Sequence, residues 1–476
     1  MLEEQNTPSL LAVSKVNVAR EPGVGPAPKP VIGYYAEQLK FGRDPIGYLT
    51  KLNRDYGGVC AWGGDRPFFV FNFLPSLNEM VCDADQFDWA QKPLGVRSLA
   101  PALNALSAGL LRKNGEEYKV ARRFMRSAFS QTLMDGWREY MVLRTQDMMN
   151  SWQDGQLIDL HKEIRRLVIS ISINAVFGVN DPEVAKTVDD LRIDLFTTGS
   201  KATTLLFPYN LPGTSYRKML GITDELLPLM NGLIKQSRGR DCMLGMVVDA
   251  KDENGVGLPE SELIGEAFQL MNLDNPIGGI TWALFLLAQH PTVYADVLDE
   301  LDSVLHGDVP TFEQLGSLPL LERAIKESLR LMPPFAFARR YAASACQLGP
   351  FDLRAGCRVI FSPYVTHRMP NIYPEPLRYL PERWETARPS QYEYLPFGAG
   401  SHFCLGMRFA MLELKIVLAS VLQRYRLEIP TNARIDRVVR ITIQSKQGLP
   451  MFVNRQDRKF KRNPIRGNIH EMIKFA

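Results

Sequence analysis

Apolar residues recur every three or four positions along most of this chain, which is the spacing of an amphipathic helix. Helices are predicted on this basis over residues 35–56 and 134–195. Short apolar runs around glycine turns, at residues 59–73, 348–369 and 438–453, predict strands joined as hairpins. Residues 88–111 fit either a loop over a pocket or a short core helix. The pattern therefore predicts a mainly α fold with a small sheet.

The longest helical candidate covers residues 259–290, which at about 1.5 Å per residue would cross a whole domain. Pro276 interrupts its middle, because proline has no N–H to donate to the carbonyl of Asn272. We therefore expect the helix to kink or open at Pro276.

Composition is that of an ordinary globular protein, since 45% of the 476 residues are hydrophobic and 23% are charged. We divide the chain into a flexible leader (1–20), a single large domain (21–456) and a basic C-terminal tail (457–476) that we expect to be solvated. The net charge of +4 is small for this length, so no nucleic-acid partner is expected.

The cysteines and the first residues bear on location. Six cysteines have no repeating spacing and no secretory leader precedes them, which indicates a reducing compartment and a cytoplasmic protein. A membrane span needs about 20 consecutive apolar residues. Charged and polar residues interrupt the first 20 positions throughout, so we expect no transmembrane anchor there.

Cys404 is the residue with the clearest chemical signal. Two glycines, Gly398 and Gly400, precede it in a tight loop, and Gly406 follows it just before an apolar run with helical spacing. The unpaired N–H groups of a helix N-terminus favour the thiolate form of a nearby cysteine, which is the form that ligates metals. The alternative is a buried structural cysteine beside a glycine turn.

The spacing F-G-x-G-x-x-x-C-x-G resembles the heme-binding loop of the cytochrome P450 superfamily. The matched positions are Phe397, Gly398, Gly400, Cys404 and Gly406. The resemblance implies that Cys404 is the thiolate ligand of the iron of heme b and that Phe397 packs under the ring. It also places His402 where the family has a basic contact to a heme propionate, although alone His402 reads as an ordinary surface histidine.

Two further segments extend this resemblance to the heme propionates. Tyr118 and Arg122 lie four residues apart on one face of a predicted helix and resemble the family pattern W-x-x-x-R, with tyrosine in place of tryptophan. Arg122 read alone would be one more solvated cation. Arg340 falls where the family places another propionate contact, although the adjacent Arg339 is an alternative.

Glu327 and Arg330 lie three residues apart on a predicted helix, a spacing that usually gives a surface ion pair. With Arg383 of the later LPERW segment, they resemble the family's Glu-Arg-Arg set. The resemblance implies a buried, fully paired structural core on the cysteine side of the heme.

The central helix departs from the family pattern A/G-G-x-D/E-T. Counting back from His290 places residues 271–275 on these five positions, and only Asp274 matches. Asn275 replaces the threonine whose hydroxyl helps deliver protons, and an amide is a poor proton relay. Asn275 followed by two glycines also resembles the heme-thiolate enzymes that rearrange fatty-acid hydroperoxides.

The resemblance implies a helical domain with a small antiparallel β-rich lobe and heme between the long central helix and the helix after the cysteine. The first functional hypothesis is a monooxygenase acting on an apolar or amphipathic small molecule, with electrons from a separate ferredoxin or flavodoxin. The second, motivated by Asn275, is a reductase-independent hydroperoxide isomerase, lyase or peroxygenase. A non-catalytic heme-binding protein is the third.

Overall fold

The computed structural model describes residues 25, 32–62, 67–83, 86–89, 100–201, 203–204, 207–271 and 275–475. They form many α-helices and short strands, which confirms the mainly α prediction. The α-helices are α1 (Ile32–Arg43), α2 (Pro45–Tyr56), α3 (Pro75–Asp83), α4 (Pro101–Leu106), α5 (Gly115–Ser127), α6 (Gln131–Asn150), α7 (Leu160–Phe177), α8 (Pro182–Gly199), α9 (Ser215–Ser237), α10 (Met243–Asp249), α11 (Glu260–Leu270), α12 (Pro276–Gln289), α13 (Pro291–Leu305), α14 (Phe312–Gly316), α15 (Pro319–Leu331), α16 (Pro363–Thr366) and α17 (Met407–Arg424).

Strands occupy much less of the chain. They are β1 (Val59–Trp62), β2 (Phe69–Asn72), β3 (Phe87–Asp88), β4 (Gln156–Asp159), β5 (Ala338–Ala342), β6 (Cys346–Leu348), β7 (Phe351–Leu353), β8 (Arg358–Phe361), β9 (Tyr425–Glu428), β10 (Arg437–Val439), β11 (Ile443–Ser445) and β12 (Pro450–Arg455). Five of them form one sheet in the order β1-β2-β8-β5-β3, and its pairs are antiparallel except for the parallel β2–β8 pair.

Two of the predicted long helices are interrupted. Residues 35–56 divide into α1 and α2 because the Asp44 carboxylate accepts the Gly47 N–H at 3.1 Å and Pro45 occupies the first turn of α2. Residues 134–195 divide into α6, α7 and α8, with β4 between the first two. Since β4 pairs with β12, almost 300 residues later, no local pattern predicts it.

The central helix is also two helices rather than one. α11 ends at Leu270 and α12 begins at Pro276, so the expected interruption is present. Pro276 lies in the first turn of α12, where its missing N–H has no partner to lose. Every residue of α12 is buried, as expected of a helix that is apolar on all sides.

α12 lies at the centre of the molecule and packs against α7, α15 and α17. The main apolar core surrounds it, and a second core lies under the five-stranded sheet. α17, which follows the cysteine, also packs on α6. The helix after the cysteine and the central helix therefore share one core.

The C-terminal segment (residues 457–476) is expected to be solvated, but this prediction is wrong for its last part. Ile469, Met472 and Ile473 are each 0% exposed. The Arg368 guanidinium donates to the Met472 carbonyl at 3.2 Å, and the Lys474 N–H donates to the Leu377 carbonyl at 2.9 Å. The apolar residues among the basic ones anchor the segment to the core. The predicted leader, residues 1–20, lies outside the described residues.

Candidate active site

The cysteine loop (residues 394–406) joins the irregular segment after α16 to α17. Gly398 and Gly400 have φ angles of +73° and +66°, in the left-handed region that side chains disfavour. The Gly398 N–H donates to the Leu395 carbonyl at 3.1 Å, and the Cys404 N–H donates to the carbonyl of Phe397 at 2.9 Å. These bonds fold the loop back on itself and fix Cys404 just before α17.

The Cys404 side chain is exposed, yet desolvation by the surrounding protein raises the pKa of its thiol. The Gly406 N–H and the charge of Arg122 act in the opposite direction without reversing the shift. In the protein alone desolvation therefore opposes the thiolate form, and a bound cation would favour it.

Tyr118 and Arg122 on α5 reach the cysteine loop together. The Tyr118 hydroxyl donates to the Ser401 carbonyl at 3.1 Å, and Arg122 donates to the Phe403 carbonyl at 2.6 Å. Arg122 also donates to the Tyr118 hydroxyl at 2.8 Å. The tyrosine that replaces the family's tryptophan thus holds the arginine directly beside the loop.

Arg340 and His402 both contact the Trp89 ring near Arg122; the two arginines carry positive charge, whereas His402 is neutral. Arg340 is 1% exposed, whereas Arg339 points to solvent. The Arg340 guanidinium lies 3.9 Å from the centre of the Trp89 ring, and the His402 ring lies 5.0 Å from Trp89 and 4.1 Å from Tyr118. Burial lowers the pKa of Arg340 to about 10 and, with Arg340 and Arg122, lowers the pKa of His402 to about 3.

Two buried nitrogens in this region fit the carboxylates of a porphyrin. The Arg340 Nε and the His402 Nδ1 have no hydrogen-bond partner among the described residues. Buried polar atoms without partners are rare and costly, so they indicate a group that binds there. Because the region is cationic, an anionic group is favoured, and the propionates of heme meet that requirement. These residues therefore fit the cofactor that the sequence implies.

Glu327, Arg330 and Arg383 are brought together as one buried charge cluster. The Glu327 carboxylate accepts from Arg330 through two bonds of 2.8 Å and from the Arg383 Nε at 2.9 Å. It also accepts the Leu380 N–H and the Trp384 indole N–H, each at 3.0 Å. Burial opposes the charged form of Glu327, but these donors still hold its pKa below the ordinary value.

The distal residues predicted from the central helix are only partly described. Asp274 lies outside the described residues. Asn275 is half-buried and immediately precedes α12, so its backbone has reached the helical conformation at the break. The Trp282 indole, two turns further, donates to the Ile443 carbonyl at 3.0 Å and attaches α12 to the β10–β11 hairpin.

Sequence reasoning missed Trp89, His367 and Trp384. Trp384 follows Arg383 directly, so the LPERW segment already contained the signal for its bond to the cluster. Trp89 gave no signal, because its contact with Arg340 joins residues about 250 positions apart. For His367 the sequence predicts only a place in the strand-like run of residues 348–369.

Comparison with known proteins supports a common origin across most of the chain. The family model described as Cytochrome P450 matches residues 22–450. Cyclooctat-9-en-7-ol 5-monooxygenase of Streptomyces melanosporofaciens is 28% identical over 85% of this chain and 89% of that protein. Pentalenene oxygenase of Streptomyces avermitilis is 25% identical over 88% of this chain and 94% of that protein.

Solved structures show the same fold. The cytochrome P450DA heme domain superposes with a TM-score of 0.77 at 22% identity, covering 92% of this chain and 100% of that one. No helix among the described residues is long and apolar enough to cross a membrane. With the family match over residues 22–450, the chain belongs to the cytochrome P450 family of heme-thiolate oxidoreductases.

Proposed function

We propose that Cys404 ligates the iron of heme b and that the protein inserts one oxygen atom of O2 into an apolar or amphipathic small molecule. The observation that carries this proposal is the exposed Cys404 side chain on a loop that Tyr118 and Arg122 hold by hydrogen bonds. Arg340 and His402 would hold the propionates, since their buried nitrogens are otherwise without partners among the described residues. Phe397 would pack under the ring.

A thiolate-ligated heme, when bound, supplies the oxidising chemistry, because thiolate ligation favours cleavage of the O–O bond. The reaction consumes the substrate C–H bond, O2, two electrons and two protons, and it yields a hydroxylated product and water. A separate ferredoxin or flavodoxin would supply the electrons. Asp274 would be the acid near the dioxygen, while Asn275 would hold a hydrogen bond there instead of passing a proton.

The substrate is proposed to be largely hydrocarbon. Two relatives are named for cyclooctat-9-en-7-ol and pentalenene, which are by name an alkenol and an alkene. A cytoplasmic location is proposed because all six cysteines are free thiols, as in reducing compartments.

A carbon monoxide difference spectrum of the reduced, heme-loaded protein tests the ligand. A thiolate-type Soret band in the native protein and its loss in Cys404→Ser are expected. An unchanged band in Cys404→Ser, or a band of the imidazole-ligated type in the native protein, would contradict the assignment.

The second candidate is a hydroperoxide isomerase, lyase or peroxygenase, and only Asn275 favours it. Incubation of the protein with candidate alkenes, alkenols and fatty-acid hydroperoxides, with and without a reductase system, distinguishes the two. Turnover that requires NAD(P)H and a redox partner supports the monooxygenase. Product from a hydroperoxide without any reductant supports the second candidate.

We predict that Asn275→Thr changes coupling of electron consumption to product, or the product itself, far more than it changes heme content. Threonine restores a hydroxyl that relays protons, whereas Asn275 lies at the start of α12 and is not among the residues proposed to hold the propionates. Heme content from the absorption spectrum, measured beside product per NAD(P)H, checks this. Loss of heme with unchanged coupling would make Asn275 a structural residue.

A further inference from the structure

His367 is a fully buried histidine whose two ring nitrogens have different partners. It is 0% exposed. Its Nε2 accepts the Leu395 N–H at 2.7 Å, and its Nδ1 lies 3.1 Å from the Arg330 carbonyl oxygen. An amide N–H only donates and a carbonyl only accepts, so Nε2 must be unprotonated and Nδ1 must carry the hydrogen. The environment therefore fixes one neutral tautomer.

One hydrogen-bond partner of His367 lies in the buried charge cluster, and the other lies in the cysteine loop. Arg330 is a member of the buried charge cluster, and it also donates to the carbonyl of His367 at 2.8 Å. Leu395 lies at the start of the cysteine loop, and its carbonyl accepts the N–H of Gly398. The imidazole thus bridges the end of α15 and the first turn of the loop.

The surroundings hold the ring in this orientation and keep it neutral. Tyr394 stacks on the imidazole with ring centres 5.5 Å apart, and Tyr373 meets it edge-on at 6.3 Å. The Tyr394 hydroxyl donates to the Lys326 carbonyl at 2.9 Å, so the stacking partner is itself fixed. Burial first, and then the charges of Arg330 and Arg368, lower the pKa of His367 to about 3.

We propose that His367 is a positioning residue for the cysteine ligand. Its single neutral tautomer, with one hydrogen bond to each side, fixes the distance between the cysteine loop and the buried charge cluster. The bond that matters is the one to Leu395, because the Leu395–Gly398 and Phe397–Cys404 bonds carry its position on to Cys404. The inference rests on the proposed role of Cys404 as the iron ligand.

Two substitutions separate the bonds of the imidazole. His367→Gln places an amide oxygen near the position of Nε2 and keeps an acceptor for Leu395. His367→Asn places an amide near Nδ1 and keeps a donor for Arg330, but leaves the Leu395 N–H unpaired in the interior. The two variants are therefore matched controls for each other.

The experiment follows the thiolate-type Soret band of the reduced carbon monoxide complex of each heme-loaded variant over time. Because one buried hydrogen bond is lost, the thiolate-type band of His367→Asn should disappear about tenfold faster than that of the native protein. His367→Gln should stay within about twofold of the native rate. Urea unfolding of both variants shows whether general instability explains the difference.

Equal rates of band loss for the two variants, or faster band loss for His367→Gln, would overturn the positioning role. Should His367→Asn fail to fold, nitrogen NMR of the native protein labelled at its histidines tests the same point, with His367→Gln used for assignment. A hydrogen on Nε2 of His367 would then refute the proposal. A native protein without any thiolate-type band would instead contradict the proposed ligand Cys404, so the two failures are distinct.

Discussion

Two glutamate–arginine pairs with the same three-residue spacing show how burial decides what an ion pair contributes to stability. Glu327 and Arg330 have fully buried side chains, whereas Glu375 and Arg378 are 57% and 44% exposed. Water screens the second pair, so its formation contributes little to stability. The first pair is held by five donors to one carboxylate, and removing one partner leaves a buried charge without compensation.

We predict that Arg330→Leu lowers the free energy of unfolding by about 3–5 kcal/mol and impairs heme incorporation, because Glu327 remains buried without its main partner. Arg378→Leu is the matched control and should cost less than about 1 kcal/mol. Urea unfolding followed by circular dichroism, with heme content from the absorption spectrum, measures both. Similar losses for the two variants would show that burial does not set the cost.

Because His367 is buried in its neutral form, we predict that the protein loses stability in acid. Its pKa of about 3 in the folded protein is far below the value of about 6.5 in the unfolded chain, so the unfolded chain takes up the proton first. Stability must therefore fall as the pH drops from about 6.5 toward 3, by up to about 1.4 kcal/mol per pH unit from this residue. His367→Gln has no proton to take up there.

Urea midpoints of the native protein and of His367→Gln between pH 7 and pH 4 test this expectation. Carboxylates contribute to acid unfolding in both proteins and cancel in the comparison. The native midpoint should fall more steeply than that of the variant. Parallel curves would mean that His367 is already protonated in the folded state at these pH values.

The residues of the site differ in how well local sequence patterns predict their roles. The glycines and Cys404 lie within ten positions, so their spacing alone predicts a loop before a helix. The spacing of Glu327 and Arg330 predicts an ion pair but not its burial, which depends on segments some 50 residues later. Trp89 beside Arg340 is a tertiary contact, and no local pattern encodes it.

At the scale of elements, α11 crosses the turn before residues 110–112 at backbone contact. A Cβ added at Gly265 would lie 2.3 Å from the Gly109 nitrogen, and one added at Gly109 would lie 2.5 Å from the Gly265 oxygen. The adjacent Glu266 is 0% exposed and accepts the Leu110 N–H at 3.0 Å and the Lys113 ammonium at 3.2 Å. The two glycines thus allow a buried acid to attach this turn to α11.

We predict that Gly265→Ala lowers the free energy of unfolding by about 1–3 kcal/mol, because backbone atoms oppose the new methyl group and the turn at Gly109 must move away from α11. Gly221→Ala in α9 is the control, since a Cβ there meets no atom within 4 Å. It should raise stability by up to about 1 kcal/mol, as alanine favours a helix over glycine. Urea unfolding measures both variants, and a stabilising Gly265→Ala would contradict a tight crossing.

The break between α11 and α12 shows what the pattern of apolar residues can and cannot predict about an element. Pro276 predicts an interruption, but the sequences of α11 and α12 are both apolar enough to be buried. Periodicity alone therefore favours one continuous helix. Likewise the periodicity predicts a helix where β4 lies, but pairing with β12 overrides that local preference. Boundaries set by distant partners are the part of the fold that the sequence does not specify locally.

At the scale of the whole molecule, the C-terminal segment closes the core. Its buried residues Ile469, Met472 and Ile473 belong to the main apolar cluster, and Glu471 accepts from Arg437 at 2.9 Å. We predict that removing residues 464–476 lowers the thermal midpoint by several degrees or more, because these apolar side chains leave the interior. Differential scanning calorimetry of the truncated and full chains checks this.

Arg458→Ala is the control for that truncation. Arg458 also lies in the C-terminal segment, but its bonds to Asp299 and Asp302 are exposed to water. Its loss should change the midpoint little. A truncated chain as stable as the full one would show that the segment packs on the core without contributing to it.

Arg437 links an early and a late part of the chain, since it donates to Asp44 at 2.6 Å across 393 positions and to Glu471 at 2.9 Å. On a ribosome that adds roughly 5–20 residues per second, the first helices must wait about 20–80 s for this partner to be synthesised. Cotranslational folding therefore cannot finish in order from the N-terminus. The nascent polypeptide remains an incomplete intermediate, with its apolar strands available to chaperones, until residue 471 has been synthesised.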